Sequence, residues 1–206
     1  MPLRSRREEY SDATRRALLR AGRKLFATQG YAETSVAEIV KTARLTGGAL
    51  YHHFRDKKQL FEAVAEEIEQ EIMNKADQAA AAHRDPWARL LAGIEAVLDA
   101  SMTLDVQRIG FLEAPAVLGL DSARAMELRY GYGRLRQTLE RAMDARRMRR
   151  HSLDLLGPIL LGSLTEAAMA IARDDNPPAA RKRASQIFKE LLSGLHVDES
   201  PTTPGA

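Results

Sequence analysis

Ser35, Thr46 and Asp56 each precede a helical pattern, and each is a residue type whose side-chain oxygen accepts a hydrogen bond from a first-turn backbone N–H. Three helix starts within 22 residues gather free N–H groups and three positive dipole ends in one region, which is chemistry suited to phosphate. Lys57 stands in the first turn of the helix that Asp56 caps. A cation there opposes the dipole, and a phosphate partner accounts for it better than an idle surface position. Gly47, Gly48, Tyr51 and His52 lie between the second and third of these caps.

Catalytic patterns are missing by comparison. Histidine occurs at 52, 53, 83, 151 and 196, never within a Gly-x-Ser-x-Gly or His-Glu-x-x-His context. His52 and His53 are adjacent, and neighbours on a helix point about 100° apart, a poor arrangement for one metal ion. There is no cysteine, which excludes thiol nucleophiles, disulfides and cysteine-ligated zinc or iron–sulfur centres. Gly47-Gly48 lacks the preceding strand of a phosphate loop. The expectation is a protein without enzymatic activity, metal or cofactor.

Charge points the same way. The 206 residues carry a net +3, but residues 1–58 hold 13 basic against 6 acidic side chains, while the remainder is net acidic. A basic third on an acidic body suits a polyanion at one end and another partner at the other. The N-terminus has no apolar signal segment, and Asp154, Pro158 and Glu166 interrupt the most apolar stretch, Leu153 to Ala172. The chain is expected to be cytoplasmic and away from membranes.

Helical periodicity recurs throughout and strand patterns are scarce, so the fold class is all-α. Helix one is expected from Asp12 to Gly30. Helix two follows Ser35, which pairs with Glu38 as a capping box, and fails near Lys41–Thr42. After Ala43, Arg44 and Leu45 comes a short helix capped by Thr46 and ending at Phe54. A long helix then runs from Lys57 to about Ala82, with Gln59 as the box partner of Asp56. Asp85 and Pro86 start the next helix. Further helices are expected over Val106–Val117, Ser122–Arg147, Leu153–Arg173 and Ala179–Leu195, giving about nine.

Two short helices joined by three or four residues make a helix-turn-helix, a geometry that lays the second helix in the DNA major groove. At these residues the chain resembles the tetracycline-repressor (TetR) family of bacterial regulators. The resemblance covers 13–64 and rests on Leu25-Phe26-Ala27, Gly30-Tyr31, Thr34-Ser35-Val36, Glu38-Ile39, Gly48-Ala49-Leu50-Tyr51-His52-His53-Phe54, Lys57 and Leu60-Phe61. It implies phosphate contacts at Thr34, Ser35, Thr46, Tyr51 and Lys57, base edges near Gly47, Gly48 and His52, and a structural role for Leu50 and Phe54. Position 44, commonly glycine in the family, is Arg44 here, and its charge could also reach DNA. With Gly47 and Gly48 lacking side chains, DNA shape and backbone contacts carry more of the specificity.

The resemblance also implies a domain plan: a flexible basic arm over 1–11, a helix-turn-helix domain over 12–58, a ligand-binding and dimerisation domain over 59–196, and a disordered tail over 197–206. The last two helices would form a homodimer. The apolar stripe of Leu156, Ile159, Leu160, Ser163 and Ala167 with Ile187, Phe188 and Leu191 supports this independently. Candidates to line an effector cavity are Trp87, Met102, Phe111, Leu120, Met126 and Tyr130. Arg108 and Glu113 could anchor a polar group of the effector. The functional expectation is a ligand-responsive regulator, a repressor released from a pseudo-palindromic operator by a small, largely apolar effector. The alternatives are an activator of the same fold, or an architectural protein binding DNA without sequence preference.

Overall fold

Helix starts follow the caps. The computed structural model describes residues 6–197, and every regular element among them is helical apart from an isolated antiparallel bridge between Met148 and His196. Helix α1 (Arg6–Gln29) begins earlier than Asp12, because Glu8 and Glu9 complement the dipole of an added first turn. The expected arm is therefore helix from Arg6 onward, and Arg4 lies outside the described residues, as does the tail from Asp198. Gly30 stops α1 at φ 89°, a left-handed conformation that glycine adopts without penalty.

Helix α2 (Val36–Ala43) carries the full capping box: the Ser35 hydroxyl accepts from the Glu38 N–H at 3.2 Å, and Glu38 Oε2 accepts from the Ser35 N–H at 2.9 Å. Helix α3 (Gly47–His53) starts from Thr46, whose Oγ1 accepts from the Ala49 N–H at 3.4 Å. Helix α4 (Lys57–Ala81) starts from Asp56, which accepts from the Gln59 N–H at 2.7 Å. Gln59 does not return the bond to Asp56 as expected; its Oε1 takes the Arg55 N–H at 2.6 Å, one residue further out. Leu18, Leu19, Phe26, Ile39, Leu50, Leu60 and Phe61 bury the inner faces of these four helices. Leu50 and Phe54 are both buried there and pin α3 to its neighbours.

Helix α5 (Pro86–Ala100) packs beside α4 and starts from Asp85 and Pro86, the Ala88 N–H donating to Asp85 at 2.9 Å. Helix α6 is a π-helical stretch, Val106–Glu113, continued as Ala114–Leu118. Helix α7 was expected as one α-helix to Arg147. It instead runs Leu120–Glu127, widens to a π turn over Leu128–Tyr132, and resumes as Gly133–Asp144, with Arg146 at φ 55° closing it. The widening coincides with close approach to α8 (Leu153–Arg173). A Cβ on Gly131 would lie 3.2 Å from the Leu161 side chain, and one on Gly157 would lie 2.7 Å from the Tyr132 ring. Helix α9 is Pro177–Ser193. It docks on α5 through Arg181, which pairs with Glu95 and Asp99 at 2.7 Å each.

Helix α8 has the length and apolar composition to cross a membrane. Its Gly157, Leu161, Leu164, Ala168 and Ile171 are buried on α5, α6 and α7, while much of its remaining apolar surface is open.

Candidate DNA-binding surface and the cavity behind it

The face that carries Ser35, Arg44, Thr46, Gly48, Tyr51 and His52 is solvent-exposed, and Gly47 is partly so. Tyr51, 60% exposed, projects from α3. A Cβ built on Gly47 would meet nothing within 4 Å, so its open space admits close approach of another molecule to the backbone. Arg44 adopts φ 57° and ψ 43°, the left-handed turn that glycine occupies cheaply. Arginine there costs on the order of 1 kcal/mol, and in return leaves an exposed guanidinium beside α3. Burial holds the His53 imidazole below its usual range, aided by the charges of His52 and Arg15. No cluster of metal-ligating side chains occurs among the described residues.

Two expected contacts are corrected. Thr34 is fully buried, and its hydroxyl donates to Gly30 O at 2.6 Å, so the side chain is spent on the α1–α2 turn and cannot reach a phosphate. The Lys57 ammonium is turned inward: Nζ donates to Tyr31 O and Thr34 O, both at 2.8 Å, and lies 4.2 Å from the Tyr31 ring centre. Carbonyl dipoles and a π face within the chain give the cation at this helix start its partners. Lys57→Met is therefore expected to lower stability by about 2–4 kcal/mol, the loss of two charged hydrogen bonds and a cation–π contact. A thermal melt unchanged by Lys57→Met would show that this latch holds nothing.

Behind the surface, α4, α6, α7 and α8 line a cavity of about 750 Å³ that opens to solvent. Phe111 and Leu120 line it as expected, Leu120 at the exposed rim. The other candidates do not. Trp87 stacks on His196 with ring centres 4.5 Å apart, Met126 is buried in the core, and Met102 and Tyr130 pack against the core elsewhere. All lie on apolar helix faces, but periodicity does not say which apolar contact opens into a void. Sequence reasoning missed the polar lining: Glu69, Arg124, Glu127, Thr165, Glu166 and Arg173. Glu127 accepts from both Arg124 and Thr165. Glu69 is pushed up to about 7 by burial, with a further contribution from the Glu127 charge. A signal existed: Glu69 sits four residues after buried Ala65 and three before buried Ile72, on the inner face of α4.

Arg108 and Glu113 face away from the cavity. Arg108 Nη1 donates to Thr28 O at 2.8 Å and to Ala27 O at 3.4 Å, and Glu113 Oε2 accepts the Tyr31 N–H at 2.9 Å. They hold the end of α1 and do not anchor an effector. Arg23 of α1 adds a second tie, donating to Asp105 at 2.7 Å and to both oxygens of Glu71 at 2.6 and 2.7 Å.

On the opposite side, Leu155, Ile159, Ile187 and Leu191 form an exposed apolar stripe on α8 and α9, each more than half exposed. Leu156, Leu160, Ser163 and Ala167 are partly covered within it. Ser163 donates to Ile159 O at 2.8 Å, which hides its polar group. Phe188, expected on this surface, is 5% exposed; it fills the space between α8 and α9 and forms the floor of the stripe instead of its face.

Comparisons agree with this architecture. A family model described as bacterial regulatory proteins, tetR family, matches residues 18–64, and one described as a tetracyclin repressor-like C-terminal domain matches 87–195. The HTH-type transcriptional regulator AcrR of Shigella flexneri is 30% identical over 149 residues, 68% of each chain. The crystal structure of a TetR-family transcriptional regulator from Pectobacterium atrosepticum superposes with a TM-score of 0.82 at 32% identity, covering 95% of this chain and 99% of that one. RolR in complex with the ligand resorcinol shares the fold, with a TM-score of 0.68 at 22% identity over 94% of this chain and 100% of its own. The buried helix-turn-helix core, the ring of helices around a cavity and the matches at both ends place one conclusion beyond composition alone: the chain belongs to the TetR family of transcriptional regulators and is a helix-turn-helix DNA-binding protein, not an enzyme.

Proposed function

We propose that the protein is a cytoplasmic, homodimeric repressor that leaves a pseudo-palindromic operator when a small organic effector occupies the cavity between α4, α6, α7 and α8. Helix α6 carries this reading. One side of it, with Phe111 and Leu112, lines the cavity, while Arg108 and Glu113 on the same element grip the end of α1. A molecule that changes the packing of α6 thereby changes the seat of the helix-turn-helix. The cavity volume falls in the range of small-molecule sites, and RolR, which shares this fold, is known in complex with the ligand resorcinol.

The exposed stripe on α8 and α9 provides the dimer face. A twofold axis there sets two α3 helices against half-sites about one DNA turn apart. The effector acts by binding one spacing of those helices better than the other, which is the thermodynamic requirement for release.

The test is binding to the DNA flanking the protein's own gene against a scrambled duplex of equal length at fixed salt. Specific sites are expected to win by on the order of 10³-fold or more. Tyr51→Ala is expected to weaken the specific complex at least about tenfold, as loss of one anchoring contact of 1–3 kcal/mol implies. Equal binding to both duplexes after selection from random DNA would make the protein architectural and overturn the repressor reading.

A further inference from the structure

The inward stripe of α1 runs on past the body it packs against. Arg7, Tyr10, Ser11 and Thr14 follow one another at three- and four-residue steps and share the face that buries Leu18 and Ala21. Thr14 is buried, but Tyr10, one turn earlier, is 73% exposed. The first two turns of α1 therefore overhang the flank of α3. Between them lies a groove of about 260 Å³, open to solvent, with Ala49, His52 and His53 on its α3 side.

Its polar groups are of one kind. The Arg7 guanidinium, the Tyr10 and Ser11 hydroxyls and the His52 imidazole all offer N–H or O–H donors, and no carboxylate among the described residues lines the groove. The Thr14 hydroxyl is spent on Tyr10 O at 2.9 Å. The helical repeat puts Glu8 and Asp12 on the flank of α1 and Glu9 on its far side.

We infer that this groove seats a phosphate of the DNA backbone, held by Arg7 and Ser11 of α1 together with His52 of α3. The placement follows from size. A helix with its side chains is about 10–12 Å across, and the major groove is about 12 Å wide. The flank of a recognition helix therefore meets the wall of the groove, which is the phosphate ribbon. What passes beside the Ala49–His52 flank of α3 passes under the overhang of α1. A phosphodiester is an anion that only accepts hydrogen bonds, which matches a lining of donors. The seat also covers the Tyr10 ring, which the free chain leaves in water. The DNA face has need of it. Thr34 and Lys57 are committed inside the chain, and Gly47 and Gly48 give the start of α3 no side chains with which to fix its register. The inference concerns the contact of the helix-turn-helix with DNA alone. It holds for a repressor or an activator, with an effector or without one.

The experiment is fluorescence anisotropy of the full chain on a labelled duplex of about 30 base pairs and scrambled sequence, from about 50 to 200 mM KCl at one pH. Affinity falls as a power of the salt concentration, and each seated phosphate contributes about 0.9 to that power. Arg7→Ala is expected to lower the power by about 0.9 for each chain bound and to weaken binding about eightfold at 100 mM. The factor should be the same on an operator selected from random DNA, because a phosphate carries no sequence. Arg7→Lys should restore the slope. Ser11→Ala removes a neutral donor and should weaken binding about threefold with the slope unchanged. Arg16→Ala removes the same charge from the opposite face of α1 and should change neither. Free phosphate is the other source of this chemistry. About 20 mM inorganic phosphate, at matched ionic strength, should leave the thermal melt in place, since one phosphate lacks the contacts of the rest of the duplex. An unchanged slope in Arg7→Ala, an equal change in Arg16→Ala, a loss confined to the operator, or stabilisation by inorganic phosphate that Arg7→Ala removes while DNA binding persists would each overturn the assignment. None of these outcomes touches the repressor reading, which the operator comparison and Tyr51→Ala test separately.

Discussion

Leu191→Arg is expected to produce a folded monomer that binds operator DNA at least about 100-fold more weakly than the parent protein, because linking two recognition helices in one particle multiplies their separate affinities. Leu191 is 62% exposed in the isolated chain, so an arginine there costs the monomer little. In a twofold dimer the same position recurs on the partner, and two guanidinium groups would enter an apolar contact. The neighbouring position provides the control. Leu192 is fully buried, and Leu192→Arg should unfold the monomer itself. Light scattering for mass, a thermal melt for folding and a gel shift for affinity read the three quantities separately. A dimeric Leu191→Arg protein would move the interface elsewhere on the surface.

That stripe also shows where sequence patterning stops. Leu191 and Phe188 stand three residues apart on α9, and both belong to one apolar stripe in a helical projection. Only the packing of α9 on α8 decides that Phe188 turns inward and Leu191 stays out. Local signals fared better where a motif has its own chemistry. The Ser35–Glu38 box, the Asp85–Pro86 start and the bounds of α8 depend on backbone groups within a few residues, and the structure holds all three where the sequence placed them. Arg44 in a left-handed turn is of the same kind. Lys57 is satisfied within the chain instead of by an external anion. The carbonyls of Tyr31 and Thr34 lie more than 20 residues back in the chain, and no local pattern announces them. The π segments of α6 and α7 were also invisible, since they answer to the close approach of neighbouring helices and not to their own periodicity. The candidate site divides along the same line. Caps and motif residues mark the exposed α3 face, whereas helical periodicity marks only part of the cavity lining, Phe111 and Leu120 among it, because a void is a property of several helices at once.

Removing the α6–α1 tie should disconnect effector from operator while leaving each binding event in place. The double variant Arg108→Ala, Glu113→Ala deletes the donors to Ala27 O and Thr28 O and the acceptor for the Tyr31 N–H. Neither side chain lines the cavity, so effector affinity is expected to stay within threefold, about 0.6 kcal/mol. Neither lies on the exposed α3 face, so operator affinity without effector is expected to change as little. What should fall is their coupling: an effect of roughly 5–150-fold, the usual scale of allosteric coupling, is expected to shrink to under about threefold. Gly30 shows why this contact is a tight seat and not an incidental one. A Cβ there would lie 2.6 Å from Glu113 Oε1 and 2.9 Å from Arg108 Nη2, at a backbone φ of 89° that already favours glycine. The chain has therefore brought α6 against the α1 turn as closely as a missing side chain permits, and displacement of α6 has no slack to absorb before it moves α1. Amide exchange at Tyr31 gives a readout that needs no effector: with Glu113 gone, that N–H should exchange faster than its neighbours Phe26 and Phe61 in the same aromatic cluster. An effector response of full size in the double variant would assign the coupling to the remaining tie, Arg23 with Glu71 and Asp105, and remove α6 from the path.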